Sequence, residues 1–114
     1  MNMKQLPKAI QDCHILLEWV IPQLDKFPRL RRYTLGERIE QGLIEVLEAL
    51  LEATYSHAKK ASLNRANRCL DRVRHLWRLS QRLQAVGFKA YSFGVQQMVT
   101  LGQQIGGWRH QASQ

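Results

Sequence analysis

The 114 residues carry 45% hydrophobic side chains, a formal net charge of +8 and a sequence pI near 10.1. That apolar fraction excludes a disordered tail, and the length allows one domain with a proper core but not two. The charge is unevenly placed: residues 1–58 hold seven Lys/Arg against eight Asp/Glu, a balance of −1, whereas residues 59–114 hold ten against one, a balance of +9.

Few prolines and glycines, with apolar residues recurring at three and four, point to an all-α protein. No stretch approaches the roughly 18 uninterrupted apolar residues of a membrane span. The first dozen residues contain a lysine but no apolar run or cleavage site, so they do not read as a secretory signal. Cys13 and Cys69 lie far apart, each on an apolar helical face. Two buried thiols in a reducing, cytoplasmic setting are expected; a disulfide framework or a zinc site needs more ligands at closer spacing.

In chain order, Pro7 opens a first helix at a position that suits proline, and Ile10, Cys13, Leu17, Val20, Ile21, Leu24 and Phe27 recur along one side. Pro22 predicts a kink or local break, and Phe27-Pro28 ends the helix, because the residue before a proline disfavours helical backbone. Ile15 and Trp19, four apart, fall off the core face as a small second patch. A basic connector, Arg29-Leu30-Arg31-Arg32-Tyr33, leads to Thr34 and Glu37, whose spacing is that of a capping box. The second helix carries a core stripe of Leu35, Ile39, Leu43, Val46, Leu47, Leu50 and Thr54, with Ile44, Leu51 and Tyr55 as a second stripe beside it. A helix apolar over more than half its circumference buries two contacts, so the second stripe, with Ile15 and Trp19, reads as an oligomer interface. Glu45, Glu48 and Glu52 fall outside both stripes.

The stretch 59–63 reads as a turn into the third helix. Set at about 100° per residue, the segment 64–84 places Ala66, Cys69, Leu70, Val73, Leu76, Trp77, Ser80 and Leu83 on one face. Arg65, Arg68, Arg72, Arg74, His75, Arg78 and Arg82 fall on the other, with Asp71 as the only acid among them. Surface helices normally mix signs, because like-charge neighbours cost about as much as opposite ones gain. A run this one-sided points to a polyanionic partner. Arginine suits phosphate through its planar fork. Arg74 sits at the edge of the core arc, Lys59 and Lys60 extend the strip, and Arg31 and Arg32 offer a further basic contact.

Residues 85–91 read as a loop capped by Gly87. Ser92 then caps a fourth helix bearing Val95, Met98, Val99, Leu101, Ile105 and Trp108, with Gly102 and Gly106 allowing close approach of a neighbour. The expected architecture is a single-domain antiparallel four-helix bundle, with helices at about 7–26, 35–57, 63–84 and 92–108. Catalysis finds little support. His14, His57, His75 and His110 are scattered, and no H-E-x-x-H or C-x-x-C spacing exists. A non-enzyme without cofactor or metal is expected.

Phe27-Pro28-Arg29, the run 35–39 (LGERI), the run 70–79 (LDRVRHLWRL) and Ile105-Gly106-Gly107-Trp108 carry a further signal in their order and spacing. In these the chain resembles, from about residue 8 to 109, the four-helix-bundle family of Avd, the accessory variability determinant of diversity-generating retroelements. It is also similar to the proteins encoded in 23S rRNA intervening sequences. The resemblance implies a pentameric barrel that binds RNA or cDNA through a basic surface and associates with a reverse transcriptase. That complex copies a template RNA into adenine-mutagenised cDNA. Two other readings stand beside it: an intervening-sequence-type bundle with an RNA-related or unknown role, and a structural oligomer whose basic face is merely solvated.

Overall fold

The computed structural model describes residues 2–112. Four long helices, α1 (Lys8–Asp25), α2 (Glu37–Tyr55), α3 (Lys59–Arg82) and α4 (Phe88–Ala112), make up most of them. No strand occurs among the described residues. Each helix packs on the next in sequence, and α4 closes the ring against α1. The directions alternate. Arg65 meets Glu52 while Arg72 meets Glu45, so residue numbers fall on α2 as they rise on α3. Trp77 meets Tyr91 while Asn64 meets Arg109, so α4 likewise runs against α3. At 1.5 Å per residue the 24 residues of α3 span about 36 Å. The 44 × 26 × 22 Å molecule is therefore one helix long and two helices across.

The core follows the apolar stripes, with Ile10, Leu24, Ile39, Leu43, Leu50, Leu63, Leu70, Met98, Leu101 and Ile105 all inaccessible. Leu16, Ala49 and Ala53 join them, while Ile21, Leu35, Leu47, Thr54 and Leu76 are only half-buried and Leu83 is exposed. Trp77 is the largest fully buried side chain. Its ring stacks near Phe27 at 6.4 Å and Tyr91 at 6.3 Å, makes a T-shaped contact with Trp19 at 6.1 Å, and its Nε1–H donates to the Tyr91 carbonyl at 3.0 Å. Ser80, fully buried on the inner face of α3, turns its hydroxyl back to the Leu76 carbonyl at 2.9 Å. Burial removes the Cys13 thiol from water and pushes its pKa from 9.0 up to about 12.

The helix ends depart from the sequence reading in ways that backbone hydrogen bonds explain. Pro28, and not Thr34, starts the second helical run. Its carbonyl accepts from the amides of Arg31 and Arg32, and a turn at Arg29–Arg31 continues through π-helical Arg32–Gly36 into α2. Thr34 thus already lies in helical backbone and its hydroxyl donates to the Leu30 carbonyl at 2.8 Å, so no capping box forms. Helix α1 continues through Pro22 without a break. Helix α3 begins at Lys59, inside what reads as a turn, because extended Ser56 ends α2 and three residues suffice to reverse the chain. Gln84, and not Gly87, takes the left-handed conformation (φ 62°) after α3. The Ala85 amide bonds to the Ser80 carbonyl and the Gln84 amide to the Gln81 carbonyl, which together make a Schellman motif. With α3 ended there, α4 starts at Phe88 and carries Ser92 inside it.

Close approach occurs at different glycines from those expected. A Cβ on Gly94 would lie 2.7 Å from Trp77 Nε1, and one on Gly42 2.5 Å from Val73 Cγ2. One on Gly102 would make an ordinary 3.7 Å contact with Leu70, and one on Gly106 would meet nothing within 4 Å. Gly94→Ala should therefore cost about 1–3 kcal/mol through overpacking against the rigid indole. Gly106→Ala should gain about 0.5–1 kcal/mol from helix entropy, and thermal unfolding of both variants compares them. At about pH 8 the Cys13 thiol is protonated and inert, since only the thiolate attacks. Iodoacetamide should modify Cys13 only after denaturant is added, as read by mass spectrometry; modification of the native protein would contradict this.

Candidate nucleic-acid interface

Helix α3 holds its arginines in place from beneath. Ala66, Cys69, Leu70, Val73 and Trp77 are buried along its inner face, and no glycine or proline interrupts its 24 residues. All six arginines, with His75, are exposed on the outer side. The structure divides them by edge. Arg65 and Arg72 lie on the edge facing α2, where Arg65 Nη2 meets Glu52 Oε2 at 2.6 Å and Arg72 Nη2 meets Glu45 Oε2 at 2.5 Å. Both pairs are half-exposed, so each contributes only about 0.2–1 kcal/mol, but each cancels a charge at the surface. Glu45, Glu48 and Glu52 thus line the α2–α3 groove beside Arg65 and Cys69, and do not point away from the arginine helix.

Arg68, Arg74, Arg78 and Arg82 have no carboxylate partner among the described residues. Arg74 and Arg78 stand on the edge facing α4, a helix without a single acid. Asp71, the one acid on α3, lies 3.9 Å from His75 Nε2. The net result is a strip that is neutralised towards α2 and cationic towards α4.

The other expected contacts scatter. Lys59 donates to the Ala53 and Thr54 carbonyls at 2.8 and 3.3 Å, where a cation complements the C-terminal end of α2. Its charge therefore serves the turn, while neighbouring Lys60 is exposed. Arg31 and Arg32 sit at the opposite end of α3, beyond Arg82, on the connector between α1 and α2. Arg32 pairs with Asp25 at 3.0 Å and lies over the Tyr33 ring at 5.8 Å.

Of the residues expected at an oligomer interface, Trp19 packs inside the chain, on Trp77 and at 4.7 Å from Phe93. Ile44 and Leu51 are half-buried against the core, and Ile15 (53%) and Tyr55 (72%) remain exposed. Phe88 (72%) and Phe93 (47%), beside Trp19, add an apolar surface that the reading of residues 85–91 as a loop conceals. Among the described residues, no group of three His, Cys, Asp or Glu side chains could hold a metal ion, and no helix is long and apolar enough to cross a membrane.

The matched spacing of the ion pairs was available before folding: Glu45 and Glu52 are seven apart, as are Arg65 and Arg72. Two antiparallel helices with equal seven-residue intervals can satisfy both pairs at once, two turns apart. Comparison with known families matches residues 8–112 to the bAvd-like family. No curated protein matches the chain. The match spans nearly the whole helical fold, arginine helix included, and the chain belongs to the bAvd-like family.

Proposed function

We propose that this protein is a non-enzymatic, nucleic-acid-binding accessory subunit of a diversity-generating retroelement. In this reading it works in the cytoplasm as a homo-pentamer, alongside the retroelement's reverse transcriptase, and holds template RNA or its cDNA during mutagenic copying. The observation that carries the binding function is the set of four arginines on one helix, Arg68, Arg74, Arg78 and Arg82, without carboxylate partners among the described residues. Membership of the bAvd-like family supports the retroelement setting. The exposed apolar surfaces at Ile15, Tyr55, Phe88 and Phe93 support self-association. Two of the six arginines being neutralised is the observation that favours a purely structural oligomer, and the two readings part on RNA affinity.

Contacts of this kind fall on phosphates, so binding should weaken steeply with salt and vary little among RNA sequences of equal length. Filter binding with Arg68→Glu and Arg78→Glu combined should show a loss of tenfold or more and a shallower salt slope, by about one for each arginine removed. Glu45→Gln with Glu52→Gln frees Arg65 and Arg72 and should tighten binding. Unchanged affinity in the arginine variant, with circular dichroism and elution volume intact, returns this face to ordinary solvated surface. Light scattering tests the assembly separately: a pentamer is expected, a Tyr55→Arg change should weaken it, and a stable monomer would refute it.

A further inference from the structure

The α3–α4 edge holds more than charge. A groove of about 220 Å3 opens there between the two helices. Its floor is apolar and aromatic: Tyr91 and Val95 are half-buried, and Met98 and the Trp77 ring beneath them are inaccessible. Its rim carries Arg74 and Arg78, one turn apart, neither engaged by a carboxylate among the described residues. Asp71, three residues before Arg74, closes one end. The volume is below the roughly 300–1,000 Å3 of pockets that enclose drug-sized ligands, which suits one planar ring system and little more.

We infer that this groove takes one unstacked base of a single-stranded nucleic acid. In it, the base lies on Tyr91 and Val95, which Met98 and Trp77 support from beneath, and the flanking phosphates meet Arg74 and Arg78. This rests on the nucleic-acid-binding reading above and narrows it from any polyanion to single strands. The argument is one of complementary parts. A floor of aromatic and apolar side chains matches the face of any base, because every base has a π-face. Two guanidiniums a turn apart match the phosphates on either side of it. Asp71 keeps phosphate from the far end by like charge. A duplex keeps its bases stacked inside the helix, so it can reach the rim but not the floor. Stacking of this kind is tolerant of sequence, in keeping with a strip that contacts phosphate and not base edges.

The test uses the whole protein and fluorescence anisotropy at low salt, with three labelled probes of equal length: an oligouridylate, an abasic strand with the same phosphates, and the oligouridylate annealed to its complement. The unmodified protein should bind the oligouridylate about tenfold more tightly than the abasic strand, since only the former supplies a base to stack. Val95→Trp fills the groove and leaves every charge in place. Tyr91→Ala removes part of the floor but keeps the backbone carbonyl that holds the Trp77 indole. Either variant, with helicity and oligomer size unchanged, should bring the two strands to the same affinity and abolish any preference over the duplex. Equal, salt-sensitive binding of abasic strand and oligouridylate by the unmodified protein would overturn the groove and leave the arginine strip standing. A preference for the oligouridylate that survives in both variants places the base elsewhere and also overturns it. No binding to any probe would overturn the strip, and the groove with it.

Discussion

The burial of Trp77 is the constraint on which the rest of the bundle depends. This side chain projects from the arginine helix, yet it touches α1 through Trp19 and the segment just beyond α1 through Phe27, and it is hydrogen-bonded to the backbone of α4 through Tyr91. Removing a fully buried tryptophan from such a site typically costs about 3–5 kcal/mol, a large share of the roughly 5–15 kcal/mol that holds a domain together. The indole N–H adds direction. A buried donor needs an acceptor, and the Tyr91 carbonyl in the first turn of α4 supplies it. Keeping position 94 free of a side chain follows from seating this ring.

That dependence shows why some of the fold was legible in the sequence and some was not. The core stripes of α1, α2 and α3 follow from spacing alone, because a three-and-four repeat has one way to face a neighbour. The helix ends failed where local chemistry had competition. Thr34 and Glu37 have the spacing of a capping box, but Pro28 starts the helical run six residues earlier and leaves Thr34 no free helix end to cap. Gly87 was the obvious left-handed residue, yet the Schellman bonds fall at Gln84 because α3 ends there, with buried Ala85 packed behind it. Gly102 and Gly106 look like the packing pair, but nothing lies near Gly106, and the ring that demands a glycine faces residue 94.

The candidate site was legible as a list of arginines and not as a charge distribution. A helical wheel ranks residues by angle from one helix's core, but it does not say which neighbour stands at each edge. Glu45 and Glu52 look solvated on the wheel of α2; once α3 is set antiparallel beside it, they meet Arg72 and Arg65. The same step separates Trp19, which fills the α1–α4 seam, from Ile15, which stays in water. Lys59 shows the limit in another way. Its charge counts toward the basic half of the chain, but its ammonium is engaged by the last carbonyls of α2.

The one-sided neutralisation of α3 also has a kinetic side. Paired charges on the α2 edge act at a distance as weak dipoles, whereas the unpaired guanidiniums towards α4 act as monopoles, whose field falls off more slowly. A polyanion within a Debye length, about 8 Å in physiological salt, feels a torque as well as an attraction. That torque favours an approach across α3 and α4 over one across α2 and α3. The glutamates of α2 therefore shape the field as well as the packing: by silencing one edge of the arginine helix, they leave its positive field to extend from the other.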